Sequence, residues 1–160
     1  FKMLEVNGIA HIALTVSDVK HSKPFYRKLF AGLGMKIVLD DDNSLYGVGG
    51  RTGVVIHQSL MKDTINSFNQ QRVGLHHFCF RMRSKEDVDQ IYETVSNIGA
   101  KIIHEPQEDG FAPGYYSVLF EDPDGIRLEA NFIPGKGILA PGLDQIGDKD
   151  TLWHTDYQKT

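Results

Sequence analysis

Apolar and polar positions along the chain fall into one pattern that occurs twice. The stretch Gly8-Ile9-Ala10-His11-Ile12-Ala13-Leu14 is apolar, bounded by turn residues and of strand length, and so is Gly74-Leu75-His76-His77-Phe78-Cys79-Phe80. A polar stretch and then a segment with helical spacing follow each. In the first copy Phe25, Leu29 and Phe30 recur on one face behind Ser22-Lys23-Pro24, and proline suits a first helical turn because its missing donor would be unpaired there. In the second copy Val88, Ile91, Tyr92 and Val95 form the apolar stripe behind a capping box of Ser84 with Asp87. Both helical segments run out at a glycine, Gly34 and Gly99, and a short strand follows each, Met35-Lys36-Ile37-Val38 and Ala100-Lys101-Ile102-Ile103.

A hairpin closes each half. The first pairs 45–49 with 53–59 through Gly49-Gly50-Arg51; the second pairs 116–121 with 126–132 through Asp122-Pro123-Asp124-Gly125, a strong turn sequence. Each half therefore reads β-α-β-β-β. The fold predicted is an α+β domain over 1–133, with modules at about 8–60 and 74–133. Together these form one cupped, mostly antiparallel sheet with the helices on its convex side. The segment 134–160 is rich in Gly and Pro with little periodicity, and reads as an irregular C-terminal arm anchored by Leu152 and Trp153.

Composition narrows the function classes. Hydrophobic residues make up 41% and charged residues 24% of the 160, ordinary for a globular protein. A net charge of −4 gives no basic footprint for nucleic acid. No apolar run approaches the ~20 residues a membrane-spanning helix needs. No secretory signal is visible at the start, and Met3 is a candidate initiator preceded by Phe1 and Lys2. The single cysteine, Cys79, excludes an intrachain disulfide framework and agrees with a cytoplasmic location.

The chemistry lies in the repeat. His11 and His77 hold the same place in the two copies, each in the middle of a first strand. On alternating faces, His11 shares a side with Ala13 and Thr15, and His77 with Cys79 and Arg81. The last strand of the second half places Arg127, Glu129 and Asn131 on one face. A carboxylate in an apolar strand is costly to bury unless it is paired or bound to a cation. Two imidazoles and a carboxylate meeting in a cup suit a first-row divalent metal. His57, in Val54-Val55-Ile56-His57, reads as the counterpart of Glu129 in the first half and as a fourth ligand, a base or neither. His76 should point to the face opposite His77. Arg127, Arg81, Tyr115, Tyr116 and Cys79 are candidate substrate contacts, each with a structural alternative as salt bridge or packing. The run Gly47-Val48-Gly49-Gly50-Arg51-Thr52-Gly53 lacks the ending and the helix of a phosphate loop, so a hairpin turn is expected there.

These marks, in order and in repeat register, together with Asp122-Pro123-Asp124-Gly125 followed by Leu128-Glu129, resemble the vicinal-oxygen-chelate superfamily over about residues 8–133. That superfamily includes glyoxalase I, methylmalonyl-CoA epimerase, fosfomycin-resistance enzymes, extradiol dioxygenases and bleomycin-binding proteins. The resemblance implies one divalent ion (Ni, Zn, Co, Mn or Fe) that chelates a small-molecule substrate through two neighbouring oxygens and stabilises an enolate-like species. It also implies a homodimer.

A four-ligand site with His57 would leave two positions, enough for a chelating substrate. The extradiol dioxygenases carry a Tyr where this chain has Leu119, and a His in the region of Gly110, Phe111 and Ala112. The expected activity is therefore that of a glyoxalase-type lyase or isomerase, with Glu129 or His57 moving the proton. An iron-dependent ring-cleaving dioxygenase and a metal-free small-molecule or antibiotic binder are the alternatives. Glyoxalase I and the epimerase have a carboxylate at the His57 position, where this chain departs from them.

Overall fold

The computed structural model describes residues 6–61 and 68–136, which divide into two compact units. Each unit is a four-stranded mixed sheet with one helix.

The first unit takes the described residues up to Phe68 together with Asp122–Gly125. Its elements are β1 (His11–Val16), α1 (Val19–Gly32), β2 (Lys36–Asp41), β3 (Ser44–Gly49) and β4 (Thr52–Gln58), with strand order β1-β4-β3-β2. β1 runs parallel to β4, and the other pairs are antiparallel. Strand alternation sends Leu14, Val16, Leu45, Val54 and Ile56 to a buried face, with Phe25, Tyr26, Leu29 and Phe30 of α1 buried alongside. Each such large side chain contributes roughly 1.5–3 kcal/mol of burial. The helix comes close enough to the sheet that a Cβ on Gly47 would lie 2.6 Å from the Phe30 ring.

α1 begins earlier than Pro24 suggested. Asp18 is its N-cap and accepts from the Lys20 N–H at 2.9 Å, which puts Pro24 inside the helix. The local signal was the Asp18 side chain, whose short carboxylate satisfies a first-turn donor. Within this unit the Asp122–Gly125 turn is also tied to α1. The Tyr26 hydroxyl donates to Asp122 Oδ2 at 2.7 Å, and the Ser17 N–H donates to Asp124 Oδ2 at 2.9 Å.

The second unit contains β5 (Phe78–Arg81), α2 (Lys85–Asn97), β6 (Lys101–Glu108), β7 (Tyr116–Glu121) and β8 (Arg127–Phe132), in the order β5-β8-β7-β6. The parallel pair is again first with last, β5 with β8. Val88, Ile91 and Val95 of α2 are buried, as are Val118, Phe120, Leu128 and Ala130 of the sheet. The Ser84 hydroxyl accepts from the Asp87 N–H at 3.1 Å, as the capping box requires.

Both helices end alike. Gly34 (φ +64°) donates to Ala31 and Met35 to Phe30; Gly99 (φ +80°) donates to Ser96 and Ala100 to Val95. These are two copies of one left-handed glycine cap. The α+β class and the doubled β-α-β-β-β order are as the sequence implied.

The strand bounds differ in detail. β2 and β6 run further than their apolar cores, whereas β5 starts only at Phe78. His77 therefore precedes its strand, and His11 is the first residue of β1 rather than its middle. Residues 134–136 are irregular, and Leu152 and Trp153 lie outside the described residues. Among the described residues no helix is long and apolar enough to cross a membrane.

Candidate metal and substrate site

In the second unit the register of β8 with its neighbours puts Arg127, Glu129 and Asn131 on one face with Ser117, Leu119 and Glu121 of β7 and Cys79 and Arg81 of β5. Glu129 keeps 7% of its surface exposed. Its Oε2 lies 3.0 Å from His77 Nε2, and its Oε1 accepts from the Tyr115 hydroxyl at 2.5 Å. Burial pushes the Glu129 carboxyl up. The hydrogen bonds from His77 and Tyr115, with the charges of His77 and His104, outweigh that and hold it below the usual carboxylate range. Burial first, and then the Glu129 carboxylate, drive the Tyr115 hydroxyl far above the usual phenol range, so it stays a donor.

His76 does not point away from His77. The two Nδ1 atoms are 2.6 Å apart and the rings meet edge to face. Both residues precede the strand, so alternation does not govern them. Burial, then the charges of His77 and Arg127, lower the His76 pKa. A hydrogen-bonded row thus runs His76, His77, Glu129, Tyr115. Sequence reasoning missed the part His76 plays here; the adjacent His-His pair was its one signal.

The other candidates separate. Arg127 is buried, with its Nε 3.2 Å from Glu121 Oε1, while Lys101 Nζ lies 3.1 Å from Glu121 Oε2. It serves an ion pair on the site's face. Tyr116 belongs to the other face: its hydroxyl donates to Asp89 of α2 at 2.8 Å and Lys85 sits over its ring. That removes Tyr116 from the site, because successive strand residues alternate sides. Arg81 is exposed on the Glu129 face. Cys79 pairs in register with Glu129 and is exposed as a residue, yet its packed-in sulfur and the nearby carboxylate raise its thiol well above the usual range. A thiol held protonated in this way is a poor nucleophile.

In the first unit His11 is exposed, and its strand is fixed by Gly53 N–H donating to Ala10 and the Thr52 hydroxyl donating to Ile9. His11 pairs with Gly53, Ala13 with Val55, and Thr15 with His57. In the second unit Cys79 pairs with Glu129 and Arg81 with Asn131. Ala13 and Cys79 each stand two residues beyond the repeat histidine. The counterpart of Glu129 is therefore Val55, and His57 is the counterpart of Asn131. The expected register of His57 with Glu129 does not hold, because strand pairing puts His57 two residues beyond the place that matches Glu129. His57 and His11 share a face but sit four residues apart along paired strands, roughly 13 Å at ~3.3 Å per residue. The His57 Nε2 meets the Thr15 hydroxyl at 3.3 Å instead. The glycine-rich run is a hairpin as expected, with Gly49 paired to Thr52 and positive φ at Gly50 and Arg51.

Two donor atoms that bind one first-row ion at adjacent positions stand about 3 Å apart, given bonds of ~2.1 Å. The 3.0 Å between His77 Nε2 and Glu129 Oε2 meets that requirement, and the donor types fit Ni, Zn, Co, Mn or Fe. Among the described residues no group of three or more His, Cys, Asp or Glu side chains stands together as a metal cage.

Two β-α-β-β-β units, each with its first strand parallel to its last, are the fold of a glyoxalase-type protein. The model of the Glyoxalase/Bleomycin resistance protein/Dioxygenase superfamily matches residues 8–130, and the chain belongs to that family. The uncharacterized protein YqjT of Bacillus subtilis (strain 168) is 32% identical over 121 residues, covering 74% of this chain and 94% of YqjT. The metallothiol transferase FosB of Staphylococcus saprophyticus is 25% identical over 139 residues, 87% of this chain and 83% of FosB. The crystal structure of a glyoxylase/bleomycin resistance protein/dioxygenase domain from Frankia sp. EAN1pec is similar with a TM-score of 0.66 and 28% identity, over 80% of this chain and 98% of that one.

Proposed function

We propose that the protein is a divalent-metal-dependent enzyme of the glyoxalase type, acting as a lyase or isomerase on a small substrate that offers two adjacent oxygens. The observation that carries this is the buried Glu129 carboxylate facing His77 Nε2 at 3.0 Å. His77 and Glu129 would hold the ion, with His11 as the proposed third protein donor. When bound, the metal supplies Lewis acidity that stabilises negative charge developing on substrate oxygen.

The chain's own groups have separable tasks in this reading. Glu129, whose Oε2 faces His77 Nε2 at 3.0 Å, is assigned to binding the cation. His57, displaced from the ligand register, is assigned to proton transfer. Exposed Arg81, on the Glu129 face, is assigned to an acidic group of the substrate.

The FosB relative favours a second reaction class on the same metal site, transfer of a thiol to the bound small molecule. Both classes need the ion. Elemental analysis of protein purified without chelators, beside His77→Ala, should find close to one equivalent of Ni, Zn, Co, Mn or Fe in the native protein and little in the variant. Native protein that carries no metal and takes none up on reconstitution would sink the enzyme reading.

A further inference from the structure

The two oxygens of Glu129 are divided between different partners. Oε2 faces the His77 imidazole, and Oε1 is occupied by the Tyr115 hydroxyl at 2.5 Å. Tyr115 is delivered to that oxygen by a braced loop. The Asp109 N–H donates to the Tyr115 carbonyl at 3.0 Å, and the Tyr115 N–H donates to the Ala112 carbonyl at 3.0 Å. The Asp109 carboxylate accepts from the Ser117 hydroxyl of β7 at 2.6 Å and from the Gln107 amide of β6 at 2.9 Å. Gly114, at φ +72°, lies so close to Pro134 that a Cβ there would meet its ring at 2.8 Å. The Phe111 ring packs against the Tyr115 ring, with centroids 5.1 Å apart. Six contacts that fix a loop around one hydroxyl indicate a defined place for it.

A carboxylate with both oxygens free can take two coordination positions on one cation. A carboxylate with one oxygen engaged by a strong donor offers a single position. We propose that Tyr115 is a positioning residue: its hydroxyl holds Oε1 of Glu129, so that Glu129 gives a divalent cation only Oε2 and leaves an extra coordination position open for substrate. This rests on the metal reading above, and it replaces the role of Tyr115 as a substrate contact.

The test is cobalt(II) titration of the metal-stripped full chain and of Tyr115→Phe, read by binding affinity and by the visible absorption of the bound ion. Removing an outer partner of a metal ligand typically costs 10- to 100-fold in affinity. Y115F should therefore bind cobalt that much more weakly, with a changed visible spectrum as Glu129 reorients. Affinity within twofold of native and a superimposable spectrum would overturn the proposal while leaving the metal site standing. A lowered melting temperature with an unchanged spectrum would overturn it too, because a merely structural tyrosine gives that result. Native protein that binds no cobalt would remove both this proposal and the metal reading. If Y115F does not fold, Ser117→Ala loosens the loop at Asp109, and it should shift affinity and spectrum in the same direction; no shift counts against the proposal.

Discussion

At the scale of single residues, the first unit holds a group whose ionisation can be followed independently of any metal. Tyr26 is fully buried, and its hydroxyl donates to Asp122 at 2.7 Å. Burial, then the charge and hydrogen bond of Asp122, with Asp124 behind them, push its pKa well above the usual value near 10. Below that value Tyr26 is protonated in both folded and unfolded chains, and its contribution is complete. Above it the unfolded chain loses the proton first, so the folded state holds more protons and stability falls as pH rises. The slope from this one group approaches ~1.4 kcal/mol per pH unit until the folded-state pKa is reached. Urea unfolding of native protein and Tyr26→Phe between pH 8 and 11 should show the native curve falling more steeply. The variant should begin lower by about 1.5–3 kcal/mol, because it leaves a buried carboxylate short of a donor. Parallel pH profiles would show that Tyr26 ionises as freely folded as unfolded.

Among secondary-structure elements, some signals were legible because they are local. The glycine caps at Gly34 and Gly99 and the Ser84 cap depend on residues within one turn, and each appears where the sequence put it. The start of α1 was misread because Pro24 is a conspicuous helix marker, whereas Asp18 acts through one side-chain oxygen. The two assignments are separable by mutation. Asp18→Ala should destabilise the protein by about 1 kcal/mol, the usual cost of removing an N-cap, in chemical denaturation. If the helix began near Pro24, the same change would fall on an exposed surface residue and cost within ~0.5 kcal/mol. Strand register was harder to see. Nothing local in Val54-Val55-Ile56-His57 states which residue faces Ala13, because parallel partners are set by hydrogen bonding between strands far apart in sequence. Tyr115 was legible as a residue in a loop, but not as the partner of Glu129, because that contact depends on the Asp109 and Ser117 brace.

For the whole molecule, the repeat conserves its architecture and divides its chemistry. Strand order, the parallel outer pair and the helix caps recur in both units. The site does not recur. The second unit places a carboxylate two residues past the repeat histidine's neighbour, and the first unit has Val55 there. An apolar side chain offers no ligand, so the first unit cannot build its own copy of the His77–Glu129 pair. The proposed metal count is therefore one per chain rather than two, and the two first-unit histidines should differ in their effects. His11 keeps the position of the repeat histidine, whereas His57 stands at the position of Asn131 and meets Thr15. Metal-stripped His11→Ala and His57→Ala, titrated with cobalt(II) beside native protein, test the division directly. Loss of a protein donor in H11A should weaken binding by at least tenfold, while H57A should keep both native affinity and one equivalent of metal. Once a substrate is found, H57A should lower kcat with metal content unchanged, as expected for a proton-transfer group that is not a ligand. Metal lost from H57A and retained in H11A would reverse the assignment and show that the strand register does not decide which histidine binds the ion.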